Sequence, residues 1–155
     1  MAAAIKPIPE GYHSVTPYLI LSSASEAIAF YKKALGAEEV LRLDGPGGRI
    51  HHAEIKIGDS RIMLADEHIE IQALSPKTIG GSPVSIHLND EDVDAAVARA
   101  VAAGAKLIRP VADQFYGDRT GGIEDPFGHR WFIATRKEDL TVDEIRRRAA
   151  AQAAN

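Results

Sequence analysis

The sequence predicts an α+β fold made of two β-α-β-β-β modules, on three observations. Two helix-ending dipeptides, Gly36-Ala37 and Gly104-Ala105, stand 68 positions apart, and a strand pattern and a helix pattern precede each. Three short alternating segments follow each of them. Self-similarity at a fixed spacing is the mark of a repeated supersecondary unit. At 155 residues the chain is long enough to bury a real core.

Ser14 to Ser22 reads as the first strand. Ser23 with Glu26 fits a capping box, a side-chain oxygen and a carboxylate three residues apart satisfying the first free N–H groups of a helix. Ile28, Phe30, Tyr31, Ala34 and Leu35 supply the helix's apolar stripe, and Gly36 ends it. Strands are expected at Glu38 to Asp44, Arg49 to Ile57 and Ser60 to Asp66, with turns at Gly45 to Gly48 and Gly58-Asp59. Ile69 to Ser82 reads as a linker. The second module repeats the order: a strand from Pro83 to Asn89, a helix from Glu91 to Ala103, then strands at Lys106 to Arg109, Gly117 to Glu124 and His129 to Thr135. The modules span 14–67 and 83–136 of a domain covering 12–136. A second capping box at Thr141 and Glu144 opens a C-terminal helix over 140–155.

Strand side chains switch faces with period two. Ala53, Ile55 and Ile57 therefore oppose His52, Glu54 and Lys56. Ile62 and Leu64 oppose Arg61, Met63 and Ala65. Val84, Ile86 and Leu88 oppose Ser85, His87 and Asn89. Each apolar face can lie under a helix. The polar faces line a pocket if the sheet curls and are solvated if it stays flat.

Composition narrows the function. The hydrophobic 45% and charged 26% are those of a globular protein. A net charge of −4 and an isoelectric point near 5.8 leave no electrostatic footprint for nucleic acid. Arg146-Arg147-Arg148 sits in a predicted helix as a solvated face. With no cysteine, thiol catalysis and Cys-ligated metals are excluded. No apolar run can span a bilayer, and the N-terminus lacks the apolar core of a signal peptide, so the expected location is cytoplasmic. No Ser/His/Asp arrangement or phosphate-binding glycine loop is visible.

Three groups of residues carry candidate chemistry. His52 and Glu54, two apart on one strand, form an acid–base pair, ligands of a metal completed by His87, or a hydrogen-bonded polar wall. His51 is expected to face the other way. Phe115, Tyr116, Asp118 and Arg119 combine an aromatic platform with a charged pair; they either hold a planar ligand and its carboxylate or carbonyl, or form a surface ion pair beside a core aromatic. In Asp125-Pro126-Phe127-Gly128-His129-Arg130-Trp131-Phe132, His129 and Trp131 share one face and Arg130 and Phe132 the other, with Trp131 in the core.

The paired modules resemble the vicinal-oxygen-chelate superfamily of glyoxalase I, bleomycin-resistance proteins and extradiol dioxygenases. Val15-Thr16-Pro17-Tyr18-Leu19, Ala29-Phe30-Tyr31-Lys32, Leu35-Gly36-Ala37, His52-Ala53-Glu54, Tyr116-Gly117-Asp118-Arg119 and the closing Asp125 to Trp131 are similar to its PhnB-like branch. The resemblance covers about Val15 to Thr135. It implies a curved mixed sheet cupped over a small-molecule ligand, helices on the convex face, and a homodimer. Enzymes of the superfamily usually hold a divalent metal with four side chains, from the first and last strand of each module. Those positions fall here on Thr16, Met63, Ser85 and Phe132, none of them His, Asp or Glu. The expectation is a drug- or metabolite-binding protein without the usual metal or any other cofactor, and without glyoxalase I activity. The ligand would touch Thr16, Tyr18, His52, Glu54, Met63, Ser85, His87, Phe115, Tyr116, Asp118, Arg119, Arg130 and Phe132. The alternative is a lyase or isomerase using His52, Glu54 and His87, with a displaced divalent metal or as acid–base groups.

Overall fold

A computed structural model describes residues 4–155. The chain divides into two compact units, one up to Gly81 and one from Ser82. The first contains β1 (Tyr18–Leu21), α1 (Ala24–Leu35), β2 (Glu38–Asp44), β3 (Ile50–Ile57), β4 (Ser60–Asp66) and a single-turn helix α2 (Pro76–Ile79). The second contains β5 (Ser85–Asn89), α3 (Val93–Ala102), β6 (Lys106–Asp113), β7 (Asp118–Glu124), β8 (Arg130–Arg136) and α4 (Val142–Ala153). Each unit holds a four-stranded mixed sheet, ordered β1-β4-β3-β2 and β5-β8-β7-β6. The first and last strands of each module run parallel and the other neighbours antiparallel. The α+β class and the repeated module are as the sequence predicts. No helix among the described residues is long and apolar enough to cross a membrane.

Burial follows the alternation. In β3 and β4, Ala53, Ile55, Ile57, Ile62 and Leu64 are buried and meet Ala27, Ile28, Tyr31, Ala34 and Leu35 of α1 in the first unit's core. In the second unit Ile123, Trp131 and Ile133 lie in the core with Val93, Ala96, Val97 and Ala100 of α3. Gly121 admits this packing: a Cβ there would stand 2.8 Å from Val111 Cγ2 and 3.0 Å from Val97 Cγ2. Asp125 is buried and accepts hydrogen bonds from the N–H groups of Phe127 and His129 and from Trp131 Nε1, at 3.0 Å each. The closing turn thus seats its own tryptophan.

Several expectations are corrected. The capping box at Ser23 does not form; Ser23 is the N-cap but its side chain bonds nothing at the helix end. Asp66 caps α1 instead, its Oδ1 accepting the Ala24 N–H at 2.7 Å while Oδ2 accepts that of Ile50 at 2.7 Å. At α3 Thr135 accepts the Val93 N–H at 2.8 Å and donates to the Asp90 carbonyl, beside the N-cap Asp92, whose carboxylate accepts from the Ala95 N–H. At α4 Thr141 does cap, accepting from the Glu144 N–H, while the Glu144 carboxylate turns to Arg147 and Arg148. β1 starts at Tyr18, four residues later than predicted, because Pro17 has no N–H to donate. Its carbonyl still accepts from Met63 N–H. β5 starts at Ser85, so Val84 is exposed and not under a helix. β6 runs on to Asp113, past the predicted end at Arg109, because Pro110 sits in an edge strand.

The ladders also carry irregularities. Between Glu39 and Leu41 the register slips at Val40, and between Leu107 and Arg109 it slips at Ile108, again 68 positions on. A third slip at His51 lets Ile50 join the core on the same side as Ala53, although strict alternation places it beside His52.

Candidate functional site

The open face of the first unit is built in cross-strand rows. Tyr18 pairs with Met63, Met63 with Glu54, and Glu54 with Leu41. The row beyond holds Ile20, Ala65, His52 and Leu43, and the row before it Arg61 and Lys56 directly opposite each other. Leu41, Leu43 and Tyr18 are exposed. Part of this face, from Tyr18 and Ile20 to Ala65, His51 and Ile71, lines a cavity of about 610 Å³.

A chain of hydrogen bonds crosses it. His52 Nε2 lies 3.2 Å from Glu54 Oε1, and Tyr18 Oη lies 2.8 Å from His52 Nδ1. The Tyr12 hydroxyl donates to Glu54 Oε2. That bond, together with the one from His52, holds the Glu54 carboxyl below its ordinary range against the opposing effect of burial. In the tautomer whose Nε2–H donates to the Glu54 carboxylate, Nδ1 is left to accept from the Tyr18 hydroxyl. Tyr12 is raised by its bond to Glu54, and Tyr18 by burial and then by the Glu54 charge. Both phenols therefore stay protonated at neutral pH. Chemically, the series is a carboxylate-oriented imidazole with a phenol on its other nitrogen, an arrangement able to hold or pass a proton. His52 and Glu54 were legible in the sequence. Tyr12 was not, since it precedes the first strand and no periodicity assigns it a face.

Arg61 completes the face. Its Cζ lies 5.4 Å from the Tyr12 ring centroid, and its Nε and Nη1 are buried without a hydrogen-bond partner.

The second unit's equivalent row reads His87, Phe132, Gly122 and Arg109. Gly122 stands where the first unit has Glu54, and the Phe132 ring fills the space: a Cβ on Gly122 would lie 2.8 Å from Phe132 Cε1. The Arg109 guanidinium sits over that ring, Cζ 5.3 Å from its centroid. Ser85 and Arg130 pair in the preceding row, where Arg130 also meets Glu124 at 3.3 Å. His87, Ser85 and Arg130 are exposed.

The predicted aromatic and charged segment divides. Phe115 and Tyr116 pack edge to face with centroids 5.2 Å apart. Tyr116 and Asp118 line a second cavity of about 700 Å³ with Asn89, Arg136, Leu140 and Ile145. Arg119 forms no pair with Asp118; it grips Asp94 of α3 at 2.7 Å and Asp113 of β6 at 3.1 Å. Those two carboxylates turn its guanidinium toward α3 and tie it to a structural task.

Thr16, Met63, Ser85 and Phe132, the positions matching the superfamily's metal ligands, do not fit a divalent ion. They offer two hydroxyls, a soft thioether and a hydrocarbon ring, where Mg²⁺, Mn²⁺ and Zn²⁺ require carboxylate or imidazole. No group of three His, Asp or Glu side chains able to hold a metal occurs among the described residues.

The model of the glyoxalase/bleomycin resistance protein/dioxygenase superfamily matches residues 13–133. The chain belongs to that superfamily. An uncharacterized protein of Mycobacterium bovis is 38% identical over 142 residues, covering 90% of this chain and 93% of its own. The solved structure of an Arabidopsis thaliana gene product superposes with a TM-score of 0.61 at 29% identity, covering 79% of this chain and 98% of that one. The PhnB protein of Bacillus cereus shares the fold, with a TM-score of 0.59 at 20% identity over 79% of this chain and 99% of that one. Superfamily membership accords with the reading of the sequence, and the likeness to the PhnB protein is one of fold.

Proposed function

We propose that the chain binds a small organic metabolite or drug on the open faces of its modules, and does so without the superfamily's usual metal. One observation carries this reading. The last-strand position of module two holds Phe132, whose ring is packed over Gly122 beneath Arg109, so no ligand atom for a metal is available there. Sequestration needs complementary surface but no activated nucleophile. The first unit supplies both halves of an amphiphilic match: exposed Leu41 and Leu43 beside the Tyr18–His52–Glu54 series. The protein acts as a homodimer in this proposal, as its superfamily resemblance implies.

A second reading has its own support. His52 is oriented by Glu54 on one nitrogen and bonded by Tyr18 on the other, the requirement for an acid–base group in a lyase or isomerase. Metal analysis of purified protein with a thermal-shift panel separates the two. The binding reading expects ligand stabilisation without metal and no turnover of a methylglyoxal–glutathione adduct. Stoichiometric Zn, Ni, Mn or Fe, lost in His52→Ala and His87→Ala, would sink it.

A further inference from the structure

The segment before β1 is exposed at Ile5 and Ile8 and closes on the sheet at Gly11 and Tyr12. Over residues 4–16, among the described residues, the one hydrogen bond to the rest of the chain is that from the Tyr12 hydroxyl to Glu54; at Pro17 the carbonyl then accepts from the Met63 N–H. The Tyr12 ring lies against Arg61, and Gly11 sits so near that a Cβ there would be 3.2 Å from Arg61 Nη2. The charge of Arg61 acts on the Glu54 carboxylate, yet its N–H groups gain little from this cover. Its Nε and Nη1 are buried with no acceptor, and its cross-strand neighbour is Lys56, a second cation. Module two resolves the same position differently: Arg130 has Glu124 opposite it and forms an ion pair at 3.3 Å.

A guanidinium buried with unpaired N–H groups is costly, and a face of an aromatic ring compensates only its charge. An occupant offering a ring and an acceptor would serve Arg61 better than Tyr12 does. We propose that Tyr12 is an internal stand-in for the ligand, and that module one binds a hydroxyaromatic acid that displaces it. The ligand's phenol replaces that of Tyr12 on Glu54, its ring takes the place beneath Arg61, and its carboxylate accepts from the guanidinium N–H groups that Tyr12 leaves unpaired. This names the ligand class for the binding function proposed above and rests on it. Displacement is inexpensive because, up to the anchor at Pro17, the segment is held to the sheet by the Tyr12 hydrogen bond and carries exposed apolar side chains.

Calorimetric titration of the full chain with 4-hydroxybenzoate, benzoate and phenol tests the assignment. Removing the competing side chain raises the fraction of binding-competent protein, so Tyr12→Ala is expected to bind 4-hydroxybenzoate about tenfold tighter than the native chain. Tyr12→Phe, which keeps the ring and loses the bond to Glu54, falls between them and serves as the second variant where Tyr12→Ala does not fold. Phenol and benzoate, each lacking one recognised group, bind the Tyr12→Ala protein about tenfold more weakly than 4-hydroxybenzoate. Glu54→Gln or Arg61→Met in that background abolishes the gain. Equal affinity in native and Tyr12 variants, indifference to Glu54 and Arg61, or no binding by any of them would overturn the proposal. Metal-free stabilisation by other compounds in that case would leave the binding function standing, whereas stoichiometric metal would remove it as well.

Discussion

The two modules share a scaffold and differ in what they display on it. Glycines 68 positions apart follow their helices, Gly36 as the C-cap of α1 and Gly104 just past Ala103, the C-cap of α3. Their second strands bulge at Val40 and Ile108 with the same spacing, and Asp66 and Thr135 of the last strands each accept the first N–H of the helix. On the open faces the equivalence stops. Glu54, held by His52 and Tyr12, faces outward in one, while Gly122 lies under Phe132 and Arg109 in the other. Arg130 is neutralised by Glu124, but Arg61 lies opposite Lys56. Repeated architecture therefore constrains the covered face and leaves the open one free to diverge. In this chain, module one keeps the polar chemistry.

The largest effect is expected from the core, where the modules are alike in place but unequal in content. Trp131→Ala should cost about 4 kcal/mol and Ile62→Ala about 3 kcal/mol in urea unfolding. The excess has two sources: Trp131 is the larger side chain, and its removal also strips the buried Asp125 of its Nε1 donor. Equal losses would mean that neither the larger ring nor the Asp125 bond adds to the second core.

Next comes an attempt to give module two the chemistry of module one. Gly122→Glu should destabilise by about 2 kcal/mol, since its Cβ collides with the Phe132 ring. Adding Phe132→Met should recover most of that loss. Without recovery, Phe132 is not what excludes a side chain at this position.

The caps differ by a smaller margin. Asp66→Ala should cost about 2 kcal/mol and Thr135→Ala about 1 kcal/mol. Asp66 accepts from two backbone N–H groups, whereas Thr135 accepts from one.

The smallest effect is a titration. Glu54 titrates low chiefly because Tyr12 bonds to it, so Tyr12→Phe should move its carboxyl, followed by carbon-13 NMR, upward toward its ordinary value of 4.5. The sign follows from linkage. A depressed carboxyl contributes stability above its unfolded value and loses it as pH falls through the folded one. The variant should accordingly show a shallower stability loss on acidification, and an unmoved Glu54 would show that His52 and the Arg61 charge set it without Tyr12.

The sequence made the repeat legible because glycine terminators and alternation are local properties. The limits of β2 and β4 follow from them, as does the burial of Trp131. What escaped was tertiary. Asp66 replaces the Ser23 capping box from 42 residues away, which spacing along a helix cannot foresee. The slip at His51 changes which neighbours share a face, and Arg119 finds its carboxylates on α3 and β6 instead of beside it in the chain. On the open face, His52 and Glu54 were readable as a pair, but Tyr12 and the unsatisfied Arg61 needed coordinates.

The paired bulges have a bearing on solubility. β2 and β6 each form one of the two edges of their sheets, and Val40, Leu41, Leu43 and Leu107 lie exposed along them. A straight strand with those side chains would template the addition of another chain, the first step of a fibre. An extra residue at Val40 and another at Ile108 interrupt the row of donors and acceptors and increase the local twist. Both of these edges are thereby poor templates for stacking, and the chain can carry exposed leucines along them without polymerising through them.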